Sequence, residues 1–264
     1  MTTYSSLLPV AVEAVELARN LIRSHTPGVL TSKGDRDMAS QLDYTVEQSV
    51  RDFLSDATPE IGLIGEEKGA TGPDSDLRWV LDPVDGTANL VHGLPLFAVS
   101  LALVDTKRSV LGVIDLPMLG SRYTAVEGHG AQVDGEPIRA SQTHGLTDAI
   151  VTIGDYAVGA DAVQKNQQRL AVTSVLAGQV QRVRMFGTAA IDLAWLAHGR
   201  TDATVILSNN PWDMAAGVII AREAGAVVAD LDGSPHRFNS HATIAANPNL
   251  IDDVLGLVEV ALPG

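Results

Sequence analysis

Residues 79–89 read Trp79-Val80-Leu81-Asp82-Pro83-Val84-Asp85-Gly86-Thr87-Ala88-Asn89. The three apolar residues at the start predict a buried strand, and Asp82 follows at its carboxyl end, where ligands of sheet proteins tend to bind. Pro83 keeps Asp82 out of a helix and turns the chain, so that Asp85 points back beside Asp82. Gly86 and Thr87 then open a helix whose free N–H groups can hold a phosphate. The stretch therefore predicts a site for metal ions and a phosphate.

Two further acidic segments lie outside this stretch. Gly65-Glu66-Glu67 precedes it, and Asp213 follows far downstream in the segment 211–217. Taken singly, each acid has a plainer interpretation, because Asp85 and Asp213 are placed as helix caps and Glu66-Glu67 as a solvated turn. The combination favours the site. A capped turn requires neither an acid after three buried residues nor a second Trp-Asp pair before a helix of small residues.

The composition limits the classes of function. Of the 264 residues, 45% are hydrophobic and only 4% aromatic, which predicts one large aliphatic core or two. The formal net charge of −14 argues against nucleic acid and anionic membranes as partners, but not against a phosphate, because bound cations invert the local charge. Without cysteine the chain has no disulfide, thiolate metal site or thiol nucleophile. No signal peptide or membrane-spanning run is evident, so the sequence predicts a soluble cytoplasmic protein.

Hydrophobic periodicity predicts two halves. In residues 1–143, helices over 7–22 and 43–54, separated by a Gly/Asp loop at 33–37, precede strands, which predicts an antiparallel sheet backed by helices. These strands are predicted at 61–64, 78–81, 97–104, 110–116 and 123–126, with a hairpin turn at 134–135. A polar stretch at 141–145 marks the boundary. In residues 144–264, strands alternate with helices, which predicts a second, more parallel sheet covered by helices. The strands are predicted at 149–153, 180–185, 203–207, 227–230 and 242–245, and the helices at 162–177, 188–198, 213–224 and 250–260.

The chain resembles the inositol monophosphatase family. The resemblance rests on the segments 82–87 and 212–226 and is supported by 65–67 and 187–190. These stretches follow the family's order at about its spacing, so the resemblance covers nearly the whole chain. It implies an α/β fold, a layered α-β-α-β-α sandwich that combines an antiparallel sheet with a smaller mixed or parallel one. It also implies a homodimer.

The resemblance implies a set of metal ligands. Glu66 and Asp82, with the Val84 carbonyl, would hold one Mg²⁺, and Asp82, Asp85 and Asp213 a second, within a total of two or three ions. The donors are all oxygens, which suits Mg²⁺ and not zinc. Two ions can stabilise the entering and leaving oxygens of an in-line displacement. Lithium at the second position would make the enzyme lithium-sensitive.

The resemblance also implies the groups that activate water. Thr87 would orient and deprotonate the water, Asp43 would accept the threonine proton, and Glu66 would be both a ligand and a partner of the water. Threonine alone is a weak base, so the role depends on Asp43. Without the resemblance, Asp43 is simply the cap of the second helix.

Phosphate and alcohol are expected on neighbouring groups. Phosphate would rest on the metals and on the N–H groups of Gly86 and Thr87, while the helix start Gly187-Thr188-Ala189 leaves room for the alcohol. Asp85 and Asp213 are also expected among the substrate-binding residues. Packing of small side chains explains that helix start equally well. Lys33 either reaches the phosphate or is solvated.

One departure from the family concerns the substrate. Many members carry a glutamate that binds ring hydroxyls seven residues before the aspartate that matches Asp213. This chain has Ile206 at that position. An isoleucine accepts no hydrogen bond, which predicts a broad substrate range unless Ser208, Asn209 or Asn210 substitutes.

The predicted function is a Mg²⁺-dependent phosphomonoesterase acting on inositol monophosphate or a similar small polyol phosphate. Alternatives within the superfamily are phosphatases of histidinol phosphate, fructose 1,6-bisphosphate or 3′-phosphoadenosine nucleotides. An alternative of another class is a catalytically silent metal-binding or regulatory protein.

Overall fold

Five layers, in the order helix, sheet, helix, sheet, helix, make up the chain in a computed structural model that describes residues 4–34, 37–106 and 108–262, except the side chains of 33, 34, 37 and 38. The helices are α1 (Leu8–Ser24), α2 (Gln41–Ala57), α3 (Thr87–Val91), α4 (Ala162–Gln179), α5 (Ala189–Ala197), α6 (Pro211–Glu223) and α7 (Ile251–Ala261). Short 3₁₀ turns lie at Tyr4–Leu7 and Leu146–Asp148.

The first ten strands lie in the first half of the chain. They are β1 (Leu30–Gly34), β2 (Asp37–Ser40), β3 (Gly62–Gly65), β4 (Gly69–Thr71), β5 (Arg78–Asp85), β6 (Ala98–Val104), β7 (Ser109–Leu116), β8 (Ser121–Val126), β9 (Ala131–Val133) and β10 (Glu136–Ile138). The second half contributes β11 (Ile150–Ile153), β12 (Arg182–Arg184), β13 (Ala203–Ile206), β14 (Val227–Ala229) and β15 (Thr243–Ala246).

The larger sheet has eight strands in the order β10-β9-β8-β7-β6-β5-β3-β4. Its neighbours are antiparallel except β3 and β5, which run parallel. Helices α1 and α2 cover one face through Ala14, Val15, Val46 and Val50. Helix α6 crosses the other face closely, since a Cβ built on Gly112 of β7 would stand 2.7 Å from the Ala216 carbonyl oxygen.

The smaller sheet has five strands in the order β12-β11-β13-β15-β14. Strand β11 is parallel to β12 and β13, whereas β15 is antiparallel to β13 and β14. Helices α4 and α7 cover its outer face, and α5 and α6 lie between the two sheets. A helix buried on all sides is apolar on all sides, and small residues let the two middle helices touch: a Cβ on Gly217 would stand 2.5 Å from Leu193.

The five-layered sandwich and its two sheets confirm the predicted fold class. The second sheet is mixed, because the last two strands return antiparallel. The Gly/Asp loop predicted at 33–37 was wrong at its two ends, since Gly34 ends β1 and Asp37 begins β2, and these strands pair antiparallel. Residues 35 and 36 lie outside the described residues. The division near 141–145 stays a prediction. No helix in the described ranges is long and apolar enough to cross a membrane.

Candidate active site

A bulge at the end of β5 brings two of the predicted acids together. Residues three apart in a regular strand face opposite sides of the sheet, as Asp82 and Asp85 otherwise would. Pairing with β6 slips by one residue between Asp82↔Ser100 and Asp85↔Ala98, at Pro83, which has no N–H to donate to a ladder. The backbone N–H of Val84 donates to Asp82 Oδ1 at 3.0 Å. The Asp-Pro-Val turn is thus a strand end that places two carboxylates at one edge.

Glu66 reaches the same edge from the neighbouring strand. Gly65 pairs with Leu81 in the parallel β3–β5 ladder, and the N–H of Glu66 donates to the Leu81 carbonyl at 3.2 Å. Glu66 therefore stands beside Asp82, because the carboxyl ends of parallel strands meet at one edge of a sheet. Burial raises the pKa of Asp82, and the charge of Glu66 and a hydrogen bond with Glu66 raise it further.

A buried ion pair on α2 holds the turn that follows Glu66. Glu47 accepts the backbone N–H of Glu67 at 2.8 Å and that of Lys68 at 2.9 Å, and its partner Arg51 donates to the Gly69 carbonyl at 2.5 Å. Arg51 and Glu47 are 2.8 Å apart. A Cβ on Gly65 would stand 2.7 Å from both side chains, so a larger residue there would displace the buried ion pair.

Asp213 joins the site from the middle layer. Helix α6 begins at Pro211, with Asn210 as its cap, so the alternative of Asp213 as the cap was wrong. The Asn210 side chain donates to Asp213 Oδ2 at 3.1 Å. Ser100, the strand partner of Asp82, donates to the Trp212 carbonyl at 3.3 Å, which ties the start of α6 to β6.

The four acids repel one another electrostatically. Burial raises the pKa of Asp82 well above its usual range, and the charges of Glu66, Asp85 and Asp213 raise it further. Burial, then the charges of Asp85 and Glu66, raise the pKa of Asp213 in the same direction. Burial raises the pKa of Asp85 to about 6, against the lowering effect of its hydrogen bonds with Thr188 and Ala190. Ionising all four together is unfavourable unless a cation offsets the charge.

The donor set fits a hard divalent cation. Glu66, Asp82, Asp85, Asp213 and the Val84 carbonyl offer oxygen alone. Across the three described ranges, no group of three or more Asp, Glu or His side chains is placed to hold a metal ion, so the acids do not form a complete metal cage. The β3–β5–β6 pairing brings Glu66, Asp82 and Asp85 to one edge, and the Ser100–Trp212 hydrogen bond brings the start of α6 to the same strands. A cage is not what Mg²⁺ requires, since it keeps several waters and takes one or two carboxylates together with substrate phosphate.

Thr87 and Asp43 meet at this edge as predicted. The Thr87 hydroxyl donates to Asp43 Oδ1 at 2.8 Å and lies 3.1 Å from the Val84 carbonyl oxygen. A hydroxyl has one proton, so donation to Asp43 leaves its lone pairs free to accept from a water. Asp43 Oδ2 accepts the Ser40 hydroxyl and the Ser40 N–H, the latter at 3.1 Å, as the third residue of a capping box. Asp43 therefore caps its helix, together with Ser40, and holds Thr87 as well.

Asp85 connects the acids to the start of α5. Its Oδ2 accepts hydrogen bonds from the Thr188 hydroxyl and the Ala190 N–H, each at 2.6 Å. These groups lie at the N-terminus of α5, where negative charge is favourable. Gly86, predicted to hold the phosphate, lies close to Gly187, since a Cβ on Gly86 would stand 3.3 Å from the Gly187 carbonyl oxygen. Its φ of +94° is a conformation that favours glycine. Gly86 and Gly187, which were predicted to contact the phosphate and the alcohol, therefore lie next to each other.

Asn89 is a residue that sequence reasoning missed. Its amide donates to the Leu96 carbonyl at 2.6 Å and to the Phe186 carbonyl at 2.8 Å, so it ties helix α3 to the segment before Gly187. Glu47 and Arg51 were missed too, although with Asp43 they recur at the four-residue spacing of one helix face. That spacing was the available signal.

The residues near the missing glutamate do not behave as predicted. Ile206 is 4% exposed and packs in the core with Leu193, Met214 and Val218, so it is no wall of an open pocket. The amide of Asn209 is bonded on both sides, accepting from Thr243 at 3.0 Å and donating to the Ser240 carbonyl at 3.0 Å. The side chain of Lys33 lies outside the described residues.

Comparison with known proteins gives concordant matches. The model of the "Inositol monophosphatase family" matches residues 3–259. Inositol-1-monophosphatase ImpA of Mycolicibacterium smegmatis is 34% identical over 256 residues, 97% of this chain and 92% of the relative. Nus factor SuhB of Escherichia coli is 34% identical over 254 residues, 94% of each chain. The structure of the extragenic suppressor protein SuhB from Bartonella henselae superposes with a TM-score of 0.91 at 33% identity, covering 97% of this chain and 100% of that one.

Proposed function

The chain belongs to the inositol monophosphatase family, whose members are phosphatases, and we propose that it is a Mg²⁺-dependent hydrolase of inositol monophosphate or a similar small polyol phosphate. The observation that supports the proposal is the position of Glu66, Asp82 and Asp85 at neighbouring strand ends, with the start of the Asp213 helix bound to β6 and the hydrogen-bonded pair Thr87–Asp43 beside them.

The proposed chemistry assigns each group a task. Mg²⁺ bound by the four acids and the Val84 carbonyl would neutralise the phosphate and polarise its phosphorus. The water proton passes to Thr87 Oγ1 as the threonine proton passes to Asp43, 2.8 Å away. The water oxygen attacks phosphorus, the bond to the ester oxygen breaks, and the alcohol leaves with a proton from solvent. The N–H groups of Gly86 and Thr87 orient the phosphate during this step.

A role without catalysis is the competing proposal. One relative is named an inositol-1-monophosphatase and another a Nus factor at the same 34% identity, so identity alone does not choose between them. The Thr87–Asp43 hydrogen bond favours the enzyme, since a protein that only binds a partner has no need of a water-activating pair beside the acids.

The test is phosphate release from inositol 1-phosphate, measured with Mg²⁺, with a chelator, and after Mg²⁺ is restored. Release that depends on Mg²⁺ and is inhibited by Li⁺ is expected. Asp82→Asn tests the site, and Asp253→Asn, an exposed aspartate on the outer helix α7, is the matched control. A protein that binds Mg²⁺ but releases no phosphate from any of the candidate substrates would support the silent alternative.

Assembly and location are proposed from the resemblance alone. We propose a homodimer acting in the cytoplasm. Light scattering on the purified chain at micromolar concentration tests the first point, and a mass of one chain would contradict it.

A further inference from the structure

A hydroxyl acceptor is missing where the resemblance places one. Ile206 is buried, and Asn209 is bonded into the core on both sides of its amide. Asn210 donates to Asp213. Of these, none offers a carboxylate to an alcohol above the start of α5.

The neighbouring strand ends at the same place. Strand β11 runs parallel to β13 with Ile153 opposite Val205, and the N–H of Gly154 donates to the Val205 carbonyl at 3.0 Å. A Cβ on Gly154 would stand 3.2 Å from the Ile206 side chain, so Gly154 lies directly beside Ile206. Asp155 is the next residue.

The Asp155 carboxylate lies beside Gly187, just before the start of helix α5. Its Oδ2 would be 3.2 Å from a Cβ on Gly187, the same distance as Asn89 Nδ2. Asp155 is exposed, so a ligand at this edge can reach it.

The backbone around Asp155 is fixed from helix α4. Arg169, only 7% exposed, donates through Nε to the Asp155 carbonyl at 2.9 Å. Asn166 accepts the Ala157 N–H at 2.6 Å and donates to the Ala157 carbonyl at 3.0 Å. An acceptor held in this way needs little ordering when the substrate binds.

We propose that Asp155 supplies the carboxylate that accepts hydroxyl hydrogen bonds from the alcohol part of the substrate, in place of the glutamate that Ile206 replaces. The inference rests on the proposed function and narrows its substrate to polyol phosphates with a hydroxyl close to the ester. A site that hydrogen-bonds a substrate hydroxyl rejects analogues that lack this hydroxyl. The broad substrate range predicted from Ile206 therefore does not follow.

The experiment compares inositol 1-phosphate with 4-nitrophenyl phosphate, whose alcohol part has no free hydroxyl. Asp155→Ala should raise KM for inositol 1-phosphate about 10- to 100-fold, the effect of one hydrogen bond to a charged group, and change kcat/KM for 4-nitrophenyl phosphate less than about twofold. Asp155→Asn, which keeps one acceptor oxygen, should fall between. Asp253→Asn is again the control.

Three results would overturn the proposal. Equal losses of kcat/KM on both substrates would mean that Asp155 only maintains the conformation of the segment around Gly187. Unchanged KM values would mean that Asp155 does not contact the substrate. A loss confined to an amino-alcohol ester such as ethanolamine phosphate would mean that Asp155 binds an ammonium group.

Calorimetry with Ca²⁺ in place of Mg²⁺ separates this inference from the proposed function. The Asp155→Ala chain should bind inositol 1-phosphate at least about tenfold more weakly than the parent. Equal binding by the two would overturn the inference. If the parent chain binds inositol 1-phosphate but does not hydrolyse it, the proposed phosphatase activity is refuted. The comparison of binding by the parent and the Asp155→Ala chain still tests the role of Asp155.

Discussion

The two sheets contribute to the site in different ways. The larger sheet places Glu66, Asp82 and Asp85 through neighbouring strand ends and one bulge, all within twenty residues of sequence. The smaller sheet and the middle helices place Thr188, Asp213 and Asp155 through contacts between segments far apart in the chain. We assign the phosphate chemistry to the first region together with Asp213, and the choice of alcohol to Asp155 and the start of α5 in the second. Changes at the phosphate site should therefore affect all substrates equally, and changes at Asp155 should affect them unequally.

The largest effect is expected from Asp82→Asn. Burial and then the charges of all three acidic neighbours raise the pKa of Asp82, which favours it as the central ligand of the proposed metal site. Losing several kcal/mol of charge stabilisation lowers kcat by about 10³-fold or more on inositol 1-phosphate and 4-nitrophenyl phosphate alike. Circular dichroism should find the variant folded. Turnover above one tenth of the parent rate at saturating Mg²⁺ would contradict a bridging ligand.

Thr87→Ala and Asp43→Asn come next. Each should lower kcat by about 10²–10⁴-fold on both substrates, the usual contribution of a positioned proton acceptor. Because the two share one hydrogen bond of 2.8 Å, the double variant should lose little more than the worse single variant. Losses that multiply would mean that Asp43 serves only the capping box with Ser40.

These two changes also mark how far sequence reasoning reaches. The strand end, the Asp-Pro-Val turn and the Thr87 position follow from local rules, and the resemblance supplied Asp43 across forty residues. Glu47 escaped because its function depends on a β3–β4 turn folding back onto α2, which no local pattern specifies. Asp155 was not predicted because only the parallel pairing of β11 with β13 brings it near the site, and that pairing cannot be read from the local sequence. The resemblance matched Ile206 to a substrate-binding glutamate of the family, whereas in the structure Ile206 packs in the core between α5 and α6.

Glu47→Gln sharpens the comparison within the first region. It keeps one acceptor oxygen but weakens the hold on Glu67 and Lys68, so Glu66 is less well positioned. Partners behind metal ligands typically contribute 10–100-fold, and about a tenfold rise in the Mg²⁺ concentration for half-maximal rate is expected on both substrates. Hydrogen exchange at the Glu67 and Lys68 amides should accelerate, while the exposed Glu60→Gln changes neither. Lower thermal stability with an unchanged Mg²⁺ dependence would leave Glu47 a purely structural role.

The metal-free protein should respond to pH through the same acids. A carboxyl whose folded pKa lies above its unfolded value stabilises the protein fully below the unfolded pKa, and that contribution is lost as pH rises through the folded pKa. For Asp85 this interval runs from 3.8 to about 6, and it extends higher for Asp82 and Asp213. The rise in melting temperature on adding Mg²⁺ should therefore be several degrees larger at pH 8 than at pH 5, at about 2–4 °C for each kcal/mol. Asp82→Asn should reduce that difference, and an equal Mg²⁺ effect at both pH values would contradict mutual repulsion.

The smallest effect is expected from Ile206→Val, which tests whether the second region chooses its substrate through Ile206 or through Asp155. Ile206 is buried among Leu193, Met214 and Val218, so removing one methylene should cost about 0.5–1.5 kcal/mol of unfolding free energy. The ratio of kcat/KM for inositol 1-phosphate to that for 4-nitrophenyl phosphate should stay within about twofold of the parent, because a core side chain touches no substrate. Denaturant unfolding and the two-substrate assay measure both quantities on one preparation. A changed ratio with unchanged stability would place Ile206 in contact with the alcohol, and the specificity assigned to Asp155 would then be shared with the strand beside it.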